Sequence, residues 1–314
     1  MRWLFNGRRL ARLGILSMNR RNAACILDHN PRALFPIVDD KLRLRDLCRR
    51  IAVPTPEILG VVQFHAQLRQ LDRQLSGLTD FVIKPNRGSS GRGVLVIIAR
   101  DRDRFLRHNG SRLHLDELRR HIADILSGMY SLGGQSDRAL IQYRVRLHPH
   151  FAPISFKGVP DIRVIVYQGK PAMAMLRLPT CRSNGRANLH QGGIGVGIDM
   201  TTGVTRRAVN GCQPIHLHPD TNVNLLGRSI PCWDQVLQLS RATASAIGLG
   251  YLGIDIVIDA ELGPMLLEAN ARPGLAIQIA NGEGLIEALS RIDAQTAVTS
   301  RSSADRRAFH SAGC

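Results

Sequence analysis

Residues 252–274 read LGIDIVIDAELGPMLLEANARPG. Two aliphatic, β-branched runs flank the turn-like DAELGP and break at Pro273-Gly274, the pattern of a β-hairpin. With the turn centred between Glu261 and Leu262, Asp255 falls opposite Glu268, and Asn270 lies two residues along on the same face because strand side chains alternate. Two carboxylates and an amide oxygen on one face suit a hard, octahedral Mg²⁺. A hairpin with a merely solvated polar face fits the same residues.

The second informative stretch is FVIKPNRGSSGRGVLVII, residues 81–98. Two β-rich runs enclose a loop in which Gly88, Gly91 and Gly93 let backbone amides approach phosphate oxygens, with Ser89 and Ser90 between them. Arg87 and Arg92 add charge. The order is not that of a Walker loop, and a strand follows instead of a helix. Lys84 stands in the strand before the loop on one face with Val82, where a buried ammonium is costly unless an anion meets it. Taken alone, this stretch also fits a flexible surface hairpin.

Outward from these two stretches, composition narrows the possibilities. The chain has 314 residues, enough for one large domain or several lobes, and its 44% hydrophobic content is that of a globular protein. It lacks the run of about eighteen apolar residues that a membrane helix needs, so a soluble protein is expected. The +17 charge comes from 38 Arg and only 4 Lys, which makes each Lys informative and favours anionic partners. Aromatic residues make up only 4%, with no aromatic RNA-binding stretch, which argues against nucleic acid. Six scattered Cys without a C-x-x-C pair or zinc spacing point to reduced thiols and a cytoplasmic location. The N-terminus sets Trp3, Leu4 and Phe5 beside Arg2, Arg8, Arg9 and Arg12 without a secretory core; it reads as a docking helix, or as an interfacial membrane helix.

The remaining elements fall into order around the two hairpins. An extended lead-in through Asn30-Pro31 and Phe35-Pro36 reaches Asp39, and Asp39 or Asp40 caps a helix with Leu42, Leu44, Leu47 and Ile51 as apolar positions. A strand at 58–64 and a helix marked by Leu68, Leu71 and Leu75 follow. Residues 113–130 form an amphipathic helix whose stripe runs from Leu115 to Met129. A strand at 139–145 crosses to the next lobe and exposes backbone at Gln142 and Tyr143. Residues 159–169 and 170–179 pair as a hairpin through Gln168-Gly169, with Arg163 and Arg177 facing inward. The glycine-rich 180–199 reads as a mobile loop and is not a dinucleotide fingerprint. A helix spans 234–247, another 285–292, and 293–314 is expected to be disordered.

The order Lys41, Lys84 before a Gly-Ser loop, Gln142-Tyr143, then Asp255, Glu268 and Asn270 resembles the ATP-grasp superfamily. The stretches PDIRVIV, MAMLRLPT, ANLHQGG, GYLGIDIVID and LLEANARPGL are similar to alpha-L-glutamate ligase-like proteins, near the ligases that extend ribosomal protein tails with glutamate. The resemblance covers about Gly14 to Ile292. It implies an α+β fold of two lobes clasping ATP: 1–40 a short N-terminal extension, 41–142 the first lobe with the phosphate loop, 143–292 the second with the metal site. Lys41 and Lys84 would contact the nucleotide, the 88–93 loop the phosphates, and Gln142 and Tyr143 the adenine. Asp255, Glu268 and Asn270 would hold Mg²⁺, with Glu268 bridging two ions and Mn²⁺ as a substitute.

The implied chemistry is amide formation through an acyl phosphate, with an acidic amino acid and a peptide or small amine as substrates. Arg177 and Asn188 are the candidates beside the γ-phosphate, and Arg163, His190 and Arg272 beside an anionic substrate. About a hundred residues usually precede the first such lysine in this superfamily, against forty here. Either the short segment or a partner protein is therefore expected to complete the substrate site. A phosphotransferase or nucleotide sensor of the same fold, and a basic nucleic-acid-associated protein, are the competing readings.

Overall fold

A computed structural model describes residues 12–88 and 91–297. The expected N-terminal docking helix and most of the expected disordered tail lie outside these residues, as do Ser89 and Ser90. Two antiparallel sheets, each with its own apolar core, carry the fold.

The smaller sheet has six strands in the order β1-β6-β2-β3-β4-β5. They are β1 (Ile58–Val62), β2 (Phe81–Pro85), β3 (Leu95–Asp101), β4 (Arg104–Arg107), β5 (Arg112–His114) and β6 (Ala139–Gln142). Its core joins Phe81, Ile83 and Ile97 to Leu118, Ile122 and Ile125 of an amphipathic helix that also packs on β2 and β6. The larger sheet has seven strands in the order β11-β10-β9-β8-β7-β12-β13. They are β7 (Asp161–Tyr167), β8 (Lys170–Leu178), β9 (Ile194–Ile198), β10 (Thr205–Asn210), β11 (Gln213–Ile215), β12 (Tyr251–Asp259) and β13 (Gly263–Asn270).

Five helices matter here: α1 (Phe35–Asp39), α2 (Lys41–Arg50), α3 (Leu115–Leu126, the helix on the smaller sheet), α4 (Trp233–Ile247) and α5 (Ala276–Asn281). Asp40 caps α2, accepting from the amides of Leu42 and Arg43 at 3.1 Å each. Leu44 and Cys48 of α2 are buried in the larger sheet's core, so Lys41 enters the site from that side. Among the described residues no helix is long and apolar enough to cross a membrane.

Several expectations are corrected. The extended lead-in is helical, with turns at Arg21–Leu27 and α1, because Pro36 sits in the first turn of a helix where its missing N–H is harmless. The helix marked by Leu68, Leu71 and Leu75 is a 3₁₀ segment, His65–Gln70, plus one α turn. Helix α3 stops at Leu126, leaving Met129 63% exposed rather than on the stripe. The crossing strand ends at Gln142, and the final helix continues through 285–297, into the stretch expected to be disordered.

The larger correction concerns 180–199, where residues 194–198 are an inner strand of the seven-stranded sheet. Its glycines serve close approach. A Cβ on Gly197 would lie 2.7 Å from Asn281 Oδ1 and 2.8 Å from the Ala280 carbonyl oxygen, so the bare strand admits α5 against its face. Gly197→Ala is expected to destabilise the fold by about 1–3 kcal/mol through overpacking, read as a lower urea midpoint at unchanged slope.

Candidate active site

The β12–β13 hairpin shows how the local fold sets the chemistry. Asp259 pairs with Gly263 and Ile256 with Leu266, a register that would set Leu267 opposite Asp255. A β-bulge between Asp255 and Ile256 shifts the pairing by one, so Asp255 faces Glu268 and Gly253 faces Asn270. A one-residue shift exchanges the faces of a strand, so this bulge is what turns Glu268 and Asn270 to the same side as Asp255. The expected pair is present, although the turn is centred on Glu261 and not between Glu261 and Leu262.

Asp255 continues a cross-sheet row through Arg163 of β7, Met175 of β8 and Gly197 of β9. Arg163 donates from Nε to Asp255 Oδ1 at 2.7 Å and from Nη2 to Oδ2 at 2.6 Å. Arg177 Nη2 lies 2.9 Å from the same Oδ2, and Asn270 Nδ2 donates to it at 3.2 Å. Arg177 also grips Asp161 through both Nε and Nη2, the latter at 2.7 Å. Asp161–Arg177–Asp255–Arg163 is thus a buried ladder of alternating charge. Burial pushes the Asp161 carboxyl up to about 6 despite Arg177, and Asp255 adds to the rise. Asp255 is also pushed up by burial, but Arg163 and Arg177 together hold it below the usual carboxylate range.

Lys84 faces this group from the smaller sheet. It is 7% exposed, and its ammonium has no hydrogen bond or ion pair among the described residues. Burial pushes it from 10.5 down to about 7, with Lys41 adding to the depression and Glu268 opposing it. Lys41 Nζ lies 3.3 Å from Glu268 Oε1 and donates to the Gly88 carbonyl at 2.8 Å, tying the glycine loop to the Glu268 carboxylate.

These groups line one cleft of about 860 Å³ between the two sheets. Gly88, Gly91, Asn188, His190 and Arg272 line it as well. Asn188 Oδ1 accepts from the His190 amide at 3.1 Å, and Arg272 stacks over Phe35 at 4.7 Å. Gly93 does not reach the cleft: it lies under Tyr130, whose Cγ a Cβ would approach to 2.6 Å. Gln142 and Tyr143 are at the cleft, but the Gln142 side chain donates to the Pro56 carbonyl at 3.0 Å and the Tyr143 amide to the Glu57 carbonyl at 2.8 Å. The amides of Arg144 and Val145, which follow β6 and line the cleft, have no partner among the described residues. They and Asp161 were missed in the sequence, although Asp161 was legible: it stands two residues before Arg163 and shares its face.

The donor set is all oxygen and fits a hard divalent cation. Asp255 Oδ2 is filled by three donors, while Oδ1 accepts only from Arg163 Nε and keeps a lone pair. Glu268 is partly exposed to the cleft, and with Asn270 Nδ2 turned to Asp255 its amide oxygen points away and is open.

Comparison with known proteins gives a family match over residues 20–294, to sugar-transfer associated ATP-grasp. No curated protein matches the chain. Among solved structures it is similar to the ATP-grasp ligase PsnB complexed with minimal precursor (17% identity, 86% of this chain and 63% of that one, TM-score 0.45). It is similar also to the D-cycloserine synthetase DcsG (16%, 83% and 72%, TM-score 0.45) and to D-alanyl-alanine synthetase A from Vibrio cholerae (12%, 85% and 66%, TM-score 0.48). It therefore spans a little over three fifths of the length of PsnB, at 63%. With a match over most of its length, the chain belongs to the sugar-transfer associated ATP-grasp family and has the α+β fold of the ATP-grasp superfamily.

Proposed function

We propose that the chain is an ATP- and Mg²⁺-dependent ligase that joins a carboxylate to an amine, with an acidic amino acid such as glutamate as one substrate. The observation that carries this reading is the buried Lys84 ammonium, without an ion pair among the described residues, set across one cleft from the oxygen donors Asp255, Glu268 and Asn270. A polyphosphate satisfies the first and a divalent cation the second. ATP consumption and the unpaired cysteines among the described residues suit the cytoplasm.

Lys84 and Lys41 would contact the phosphates, and the free amides of Arg144 and Val145 the adenine edge. Bound at Glu268, Asn270 and Asp255 Oδ1, Mg²⁺ would supply charge neutralisation for phosphoryl transfer. The substrate carboxylate attacks the γ-phosphorus, forming a C–O–P bond as ADP leaves. Arg177 and Asn188 would hold the transferred phosphoryl group, and Arg163, Arg272 and His190 the anionic substrate. The amine then attacks the acyl carbon and inorganic phosphate departs, so no side chain has to act as a nucleophile. The family's association with sugar transfer widens the acceptor to an amine-bearing sugar.

A nucleotide sensor is the second reading, favoured by the two guanidinium groups already seated on Asp255. ADP release with Mg²⁺-ATP and amino-acid pools distinguishes the two. For the ligase, glutamate-stimulated release falls at least about 100-fold in Glu268→Ala at matched salt, a loss on the scale of one electrostatic stabiliser, and stops on chelation of Mg²⁺. Tight Mg²⁺-dependent ATP binding without release under any pool would support the sensor.

A further inference from the structure

A second set of basic groups stands on the cleft where the lobes touch again. Arg107 ends β4, two strands and about 10 Å across the small sheet from the strand of Lys84. His108 follows it, and Lys157 and Arg186 come from loops of the larger lobe; all four line the cleft. The loops are tightly packed: a Cβ on Gly185 would lie 2.5 Å from the Lys157 carbonyl oxygen and 3.3 Å from His108 Cδ2. Lys157 is held at φ 50°, a left-handed conformation unfavourable for a long side chain.

Lys157 Nζ lies over the Phe156 ring, 5.4 Å from its centroid. Among the described residues, none of the side chains of Arg107, Lys157 and Arg186 makes an ion pair, and the buried Arg107 Nε has no hydrogen-bond partner. His108 Nε2 lies 3.3 Å from the Asn184 carbonyl oxygen, which can only accept, so in the neutral ring Nδ1 is the acceptor, and it too is buried without a partner. Burial lowers the His108 pKa, against the hydrogen bond to Asn184, and Arg107, Arg186 and Lys157 lower it further, so the neutral ring is the resting form. A recess of about 540 Å³ beside the cluster shares Arg107 and Arg186 with the cleft, and Glu117 and Asp124 line it with Arg120 and His121, so the acidic groups lie on the recess and not on the cleft side of the cluster.

We propose that Arg107, Lys157 and Arg186 form an anion subsite distinct from Lys84 and Lys41, on the far side of the glycine loop whose Gly91 Arg186 adjoins, taking a doubly charged group of the substrate with a neighbouring hydroxyl on His108 Nδ1. Three cations without an ion pair among the described residues, Arg107 half-buried and Lys157 and Arg186 exposed, suit a phosphomonoester or a polycarboxylate better than a single carboxylate, and an orphan donor beside an orphan acceptor suits a hydroxylated ligand. As a substrate subsite it rests on the ligase reading; as an anion site it does not.

The test is calorimetric titration of the full chain with inorganic phosphate and, separately, citrate. Each is run on the free protein and on protein loaded with Mg²⁺ and the β,γ-methylene analogue of ATP, which fills the γ-position. The expected result is binding in the loaded protein that weakens at least tenfold in Arg107→Gln/Arg186→Gln and again in Lys157→Gln, with analogue affinity unchanged. Preference for phosphate assigns a phosphorylated substrate, and preference for citrate a polycarboxylate. Unchanged anion affinity in the variants, or a parallel loss of analogue affinity, overturns the subsite. Failure of the analogue to bind sinks the ATP reading, while titration of the free protein still decides the cluster.

Discussion

Lys84→Met is expected to make the protein more stable and its nucleotide affinity poorer. The folded chain holds this ammonium buried with no ion pair among the described residues, at about 7 against 10.5 when free, burial and Lys41 outweighing the pull of Glu268. Below pH 7 both folded and unfolded chains carry the proton, and the cost of burying the charge is complete. Between pH 7 and 10.5 the unfolded chain binds a proton that the folded chain lacks, so stability of the free protein rises with pH across that window. The methionine variant should lose that slope and gain most at or below pH 7, where its melting temperature rises by about 2–4 °C per kcal/mol recovered, the scale for domains of 150–250 residues. Nucleotide binding moves the other way. Losing a charge-assisted contact costs about 1.5–3 kcal/mol, or roughly 10- to 150-fold in Kd. At pH 8 the wild type should take up a proton on binding ATP, seen as a buffer-dependent heat that Lys84→Met abolishes. A variant less stable than the wild type at pH 7, with nucleotide affinity intact, would refute the placement of Lys84 opposite a phosphate.

Arg177→Met is expected to be the most damaging single change to the fold. It leaves Asp161 and Asp255 as neighbouring buried carboxylates with one guanidinium, Arg163, to serve them. Breaking a buried pair from one side costs about 3–5 kcal/mol, measured by urea unfolding. The loss should be smaller at pH 5 than at pH 8, because the stranded carboxyls can take up protons and lose their charge. Adding Asp161→Asn to Arg177→Met should restore part of the stability and none of the turnover. Equal destabilisation at both pH values would show that packing, and not charge, is what Arg177 supplies.

The grouping of Asp255, Glu268 and Asn270 was legible because strand alternation is local: the three need only one hairpin to come together. The bulge that delivers them was invisible, since an extra residue in a strand leaves no mark on composition. The engagement of Asp255 by Arg163 and Arg177 joins β7, β8 and β12, segments some ninety residues apart in part, which periodicity cannot pair. Glycine was the residue most easily misread. In 88–93 it marks a loop beside the cleft, whereas Gly195 and Gly197 clear space for α5, and the letter G does not distinguish freedom from close approach. The short strands β4, β5 and β11 were missed because three or four residues carry too little alternation to stand out.

Two of the ties between the lobes lie away from His108 and Asn184. One is the start of α2, where the Lys41 amide meets the Asn86 carbonyl at 3.3 Å and Arg138 meets Asp40 at 2.9 Å; the other is the connector after β6, bridged by Leu147 and Asp259. Elsewhere on the cleft His108 Nε2 meets the Asn184 carbonyl at 3.3 Å. Arg107 and His108 come from the smaller sheet and Lys157 and Arg186 from loops beside the larger one, so an anion held at the proposed subsite would bridge the two and fasten that edge.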